Sequence, residues 1–214
     1  MSPREADPVV GAQLVEAAAR LLAEEGPAAL STRRLAAEVG TSTTAVYTWF
    51  GGKDDLVRAM VRDGFRLLDL QLGSVGESDD PVADIGALGW AYRRNALEHR
   101  HLYSVMFGGA VLGGFSLTDE DRQHGRYTLR FLVRAVERCM EAGRFAPGEP
   151  QLVAHQMWIA LHGLVTLELG GYLVEPYAPD VCFEAQVLGL LMSVGVDREE
   201  AVASLKAAGA RNND

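Results

Sequence analysis

Thr43, Thr44 and Tyr47 stand within about one helical turn of each other, and Trp49 and Lys53 follow close behind. Together they offer two hydroxyls, a phenol, an indole N–H and an ammonium. A Thr hydroxyl bonds several base edges, and its methyl touches a thymine methyl. A Tyr one turn on reaches a base or a phosphate. An indole N–H donates to a phosphate, and a Lys opening a helix holds one beside backbone N–H groups. The chemistry of this set is contact with duplex DNA.

Catalytic chemistry is poorly served. His99 and His101 flank Arg100, His124 stands alone, and His155 and His162 are too far apart for a zinc motif. There is no P-loop, no glycine-rich dinucleotide turn after a strand and no nucleophile elbow. Glu168 and Glu175 have no obvious acid–base partner. Cys139 and Cys182 match neither a metal spacing nor a disulfide framework, and fit a reducing compartment. The expectation is therefore no catalytic residue, no metal and no cofactor.

The elements that would position the DNA-contacting groups are helices. Val10, Leu14, Ala17 or Ala18, and Leu21 recur at helical spacing until Gly26-Pro27, which predicts a helix over about residues 9–25. Ser31 or Thr32 caps a short helix that Gly40 stops. Thr41 to Thr44 then supply caps for a second short helix that Gly51-Gly52 breaks. A fourth helix is expected over 53–72, with Asp54 and Asp55 in its first turn and Asp54 paired to Arg58. Residues 73–81 read as a linker. Further helices are expected over 82–98, 100–107, 119–142, 150–173 and 180–195, with residues 206–214 frayed. No stretch alternates with period two, so the fold class is all-α.

The chain has 214 residues and a net charge of −9. That excludes a uniformly basic nucleic-acid coat but leaves room for a small basic face. From Ser31 to Lys53 the charges are Arg33, Arg34 and Lys53 against Glu38 alone. Met1 to Pro8 is polar and has no signal-peptide core. The longest apolar run, Val187 to Val196, is about half of a membrane span. A soluble cytoplasmic protein with no membrane contact is expected.

The run from Leu30 to Leu56 closely resembles the signature of the TetR family of transcriptional regulators. Leu35-Ala36, Gly40, Tyr47, Phe50, Lys53 and Leu56 form the matching skeleton. The resemblance covers about residues 9–70 in detail, and the helical remainder in architecture. It implies a helix-turn-helix DNA-binding domain over 1–55 and a helical ligand-binding and dimerisation domain over 56–214. It assigns Thr32 and Arg33 to contacts at the start of the bracing helix, Thr43, Thr44 and Tyr47 to the recognition helix, and Lys53 to a phosphate. Trp49 departs from the family, where His is frequent. It cannot be cationic, so a neutral phosphate contact or packing is expected there.

Trp158-Ile-Ala-Leu-His162-Gly163 resembles the motif of the WHG type of C-terminal domain within that family. Trp158 and His162 share a helix face. They read either as core or as lining of an effector cavity, and Trp90, Tyr103, Phe107, Tyr127 and Phe131 join them as pocket candidates. The Gly108 to Gly114 loop is placed as a gate. Arg122, Arg126, Arg130, Arg134 and Arg138 recur every four residues and read as a solvated face, with Arg126 or Arg130 the inward candidate. Helix 150–173, apolar nearly all round, is expected to be buried on all sides, facing the pocket on one and the twin subunit on the other. The resemblance implies a homodimer through the last two long helices, a small-molecule effector, and a repressor released from a pseudo-palindromic double-stranded operator. A helical-domain enzyme and a ligand-independent DNA-binding protein are the alternatives.

Overall fold

A computed structural model of the chain describes residues 8–107, 112 and 115–212. Among them are eleven helices and no strand: α1 (Pro8–Glu25), α2 (Thr32–Val39), α3 (Thr43–Phe50), α4 (Lys53–Gly73), α5 (Pro81–Glu98), α6 (Arg100–Met106), α7 (Asp119–Thr128), α8 (Arg130–Glu141), α9 (Pro150–Leu169), α10 (Pro179–Ser193) and α11 (Arg198–Asn212). The all-α expectation holds. The loop placed as a gate lies outside the described residues except for Leu112, and so does the Met1–Pro8 segment up to Pro8.

Contacts divide the chain into two compact units. One takes the chain up to Leu67 together with His99–Gly125, and the other takes Leu68–Glu98 together with Arg126 onward. In the first, α1 packs on α2 and α6, and α2 packs on α3. Leu14, Leu21, Leu22, Leu35, Val46 and Met60 are almost wholly buried there. His101 ties α6 to α1, with Nε2 3.2 Å from Glu24 and Nδ1 3.7 Å from Glu16.

In the second unit α5 is the central helix, packed by α8, α9, α10 and α11. It buries Asp84 and Arg93, which is sustainable only if both are paired. Asp84 accepts hydrogen bonds from Ser78 Oγ at 2.6 Å, Arg138 at 2.5 Å and Arg211 at 2.6 Å. Burial would raise its pKa, but the bonds from Ser78, Arg211 and Arg138 outweigh burial and hold it below the usual carboxylate range. Arg93 grips Glu168 through two bonds of 2.7 Å and reaches Asp180 at 2.7 Å, joining α5 to α9 and α10.

Several expectations need correction. The segment expected as one helix over 119–142 breaks at Leu129, whose N–H turns back to Arg126 O in a tighter three-residue step. The tail expected to fray is α11. Its Ala201, Ser204 and Ala208 are buried, and Leu205 and Ala208 press on Gly86 of α5. Arg58 pairs with Asp55 at 3.1 Å, not with Asp54. Of the arginine row, Arg138 is the inward member, while Arg130 pairs with Asp69 at 2.5 Å. Helix α9 leaves Leu152, Ile159 and Leu167 exposed in the single chain, where burial on one side was expected to come from a second subunit.

Candidate nucleic-acid interface

The α2–α3 pair is built from its caps. Ser31 Oγ accepts the Arg34 N–H at 3.3 Å, and Ser42 Oγ accepts the Ala45 N–H at 3.1 Å. Each satisfies a backbone donor that an open helix start would leave unbonded. Between them Gly40 adopts φ +70, and the Thr41 N–H returns to Ala36 O at 2.9 Å. A left-handed residue at that position favours glycine, which lets the chain reverse between α2 and α3 in a few residues.

Helix α3 then splits its faces. Val46 and Phe50 are buried, while Thr43, Thr44, Tyr47 and Thr48 are exposed on the other side. Tyr47 is 55% exposed, a large ring left in water beside small hydroxyls. The structure thus brings Thr43, Thr44 and Tyr47 onto one face. Thr48 joins them there and was missed. Its spacing of four from Thr44 was the available signal, although its hydroxyl donates to Thr44 O at 2.9 Å.

The flanking residues differ in availability. Arg34 forms a two-bond pair with Glu25 at 2.7 and 2.6 Å, and Arg20 pairs with Glu38 at 2.6 Å. The hydrogen bonds that Arg34 donates to Glu25 push its pKa up. Arg33, at the start of α2, is exposed and has no ion-pair partner among the described residues, and Thr32 beside it is half-buried. Lys53 opens α4, exposed, with its ammonium donating to Pro27 O at 3.0 Å. That carbonyl leaves the remaining ammonium protons for another acceptor. Trp49 is half-buried, and its ring lies over Gly11 of α1, where a Cβ would stand 3.0 Å from the ring carbons. Packing is thus a role of Trp49.

The seven pocket candidates divide between the two units. Tyr103 and Phe107 belong to the first unit, with ring centroids 5.4 Å apart and Phe65 edge-on to Phe107. The other five belong to the second. There Arg130 covers Tyr127 and Phe131, and Tyr127 is 63% exposed. The Trp90 and Phe183 rings meet at a tilt, with centroids 4.2 Å apart. Trp158 and His162 keep their shared face, with rings 5.9 Å apart, and His162 Nδ1 is 3.2 Å from the Tyr92 hydroxyl. Tyr92 was missed as a partner, since nothing in its local sequence marks it. Burial lowers the pKa of His162. Cys139 is buried, and burial pushes its thiol up to about 12, so it is a poor nucleophile. No cluster of three metal-ligating side chains exists among the described residues.

Two family profiles match the chain. One, described as bacterial regulatory proteins of the tetR family, covers residues 14–60. The other, described as a tetracyclin repressor-like C-terminal domain, covers residues 85–190. The chain is 40% identical over 86 residues to the HTH-type transcriptional repressor DrrR1 of Streptomyces coeruleorubidus, a match taking in 40% of this chain and 27% of that protein. It is 29% identical over 188 residues to the uncharacterized HTH-type transcriptional regulator Rv0681 of Mycobacterium tuberculosis, covering 86% of this chain and 80% of the relative. In fold it is similar to PfmR, a TetR family transcriptional regulator from Thermus thermophilus. The TM-score is 0.65 at 21% identity, over 86% of this chain and 95% of that one.

Proposed function

The chain belongs to the TetR family of bacterial transcriptional regulators, with a helix-turn-helix DNA-binding segment, and we propose that it works as a homodimeric repressor released from its operator by a small molecule. The observation that carries this reading is the division of α3. Its apolar residues hold it to its unit, while Thr43, Thr44 and Tyr47 stand in solvent on one face. A helix of that kind fits the major groove, with base edges read by the three side chains. Thr32, Arg33, Lys53 and the indole N–H of Trp49 then serve the phosphates and set the register. Residues 1–55 form the DNA-binding domain in this reading, and residues 56–214 bind effector and partner.

The dimer is assigned to α9 and α10, the last two long helices of the expectation. Leu152, Ile159 and Leu167 on α9 and Val181 and Met192 on α10 are exposed apolar side chains. Gly163 and Gly189 lie on the same faces, and a Cβ at either would meet nothing within 4 Å. A mid-helix glycine costs about 1 kcal/mol relative to alanine. With no neighbour in its own chain to require it, close approach of a second helix is its reason. Two copies of these faces make a four-helix bundle about a two-fold axis, which matches a pseudo-palindromic operator.

The effector contacts are assigned to Trp158 and His162, with Tyr92, in keeping with the resemblance to the WHG type. A neutral imidazole beside a phenol offers a polar anchor within an apolar wall. Helix α4 opens at Lys53 in one unit and ends in the other, so an effector that shifts α4 changes the spacing of the two recognition helices. Half-sites one helical turn apart tolerate little change of that spacing. A gel shift on the intergenic DNA beside its gene, at stated salt, tests the reading. It should show a salt-sensitive, competitor-resistant complex that Lys53→Ala weakens. A complex competed equally by any duplex would contradict it.

A further inference from the structure

The loop between α9 and α10 is tied by backbone hydrogen bonds, yet it turns its large side chains to solvent. The Gly171 N–H donates to Glu168 O at 2.9 Å, the Tyr172 N–H to Leu167 O at 3.0 Å, and the Tyr177 N–H to Val174 O at 2.9 Å. The Cys182 thiol donates back to Tyr177 O at 3.3 Å. Even so, Tyr172 is 76% exposed and Tyr177 70%, and Val174 between them is exposed too. A held loop with three large apolar side chains in water marks a surface that is covered when the protein works. Tyrosine suits such surfaces because it brings much contact area for little lost freedom.

The same unit carries a matching depression. Helices α5, α10 and α11 line an open apolar groove of about 570 Å³. Trp90 and Phe183, in tilted ring contact, line it with Val181 and Leu188 from α10 and Val202 and Leu205 from α11. Glu184 and Lys206 line it as well, both exposed, and Lys206 has no ion-pair partner among the described residues. Glu175 is the one charged residue of the loop, and it also has no partner among them. Val181 is shared between this groove and the exposed α10 face assigned above to the dimer.

We propose that the α9–α10 loop of each copy seats in the α5–α10–α11 groove of a second copy, with Tyr172 and Tyr177 on its apolar walls and Glu175 of one copy opposite Lys206 of the other. The inference rests on the dimer reading and narrows it. Protrusion and groove, acid and base, occur on one chain, so a two-fold exchange satisfies both sites at once and closes without forming a filament. The groove adjoins the face already given to the second copy, which argues for that occupant over an unrelated partner. It also gives α11 a role, because α11 is one wall of the groove.

Mixed-chain cross-linking tests it. Glu175→Cys is made on a chain with one tag and Lys206→Cys on a chain with another, both carrying Cys182→Ser. After mixing, exchange and mild oxidation, a disulfide-linked species bearing both tags should dominate. A dimeric mass in sedimentation with no mixed-tag species would overturn the loop assignment and leave the dimer standing. A monomer at every concentration would overturn both. Charge exchange gives a second readout. Glu175→Lys and Lys206→Glu should each weaken the dimer by about fivefold, and the double variant should return it near the parent value. A double variant no better than the singles would also overturn the proposal.

Discussion

Tyr47 is the residue whose position the single chain explains least. Its ring is held in water on a helix whose other face packs well, and hydration of an aromatic ring is a cost that a partner surface removes. Tyr47→Ala should therefore leave thermal stability nearly unchanged while weakening operator binding by roughly 1–3 kcal/mol, read by fluorescence anisotropy. Lys53→Ala should act differently. It should weaken all duplexes alike and lower the slope of log affinity against log salt by about one. His162 gives a prediction in pH. Burial lowers its folded-state pKa, so the unfolded chain takes up a proton first as pH falls. Stability should decline on acidification from about pH 6.5 downward, and His162→Gln should flatten that decline in melting experiments. An unchanged slope in the variant would assign the effect elsewhere.

Among the elements, α2 and α3 were legible in the sequence because their ends are marked. Ser31, Gly40 and Ser42 each do one local job that depends on neighbours in the chain. Helix α11 was hidden for the opposite reason. Its buried residues are Ala201, Ser204 and Ala208, too small and too like the exposed alanines to show a periodic contrast. The break at Leu129 was hidden too, since its cause is a tighter turn that no Gly or Pro announces. Exposed α9 and α10 faces carry an element-scale prediction. Gly163→Leu has room in its own chain and improves helix propensity, so a free subunit would accept it. In a bundle that approaches closely at Gly163 it should weaken the dimer by about tenfold or more, measured by sedimentation equilibrium. Dimerisation unaffected by the leucine would place the interface on another face.

At the scale of the whole molecule, an acidic chain must bind an acidic polymer. Arg20 and Arg34 are already paired, which leaves Arg33 and Lys53, among the described residues, as the cations around α2 and α3 without an ion pair. So few charges favour two linked subunits and specific base contacts over bulk attraction. The second unit is held by ionic ties that converge on its connector. Asp84 and Ser78 meet Arg138 and Arg211, and Ser204 donates to Asp80 at 2.7 Å. Deleting residues 198–214 would unpair Asp84 from Arg211 and uncover Gly86 and Ala83. It should destabilise the second unit by about 3 kcal/mol or more, seen as an earlier denaturation midpoint. The residues proposed for effector binding were the least legible part. Cavity walls use the same aromatic and aliphatic types as a core, and Tyr103 and Trp158 fall in different units for reasons of tertiary packing alone.

Selection from a random duplex library with the full chain, repeated with Tyr47→Ala, decides whether α3 reads the major groove. The parent should enrich a pseudo-palindrome whose half-sites are a whole number of helical turns apart, and Tyr47→Ala should lose that enrichment. Enrichment of no sequence by the parent, or of the same sequence to the same degree by Tyr47→Ala, would contradict the placement of α3 in the major groove.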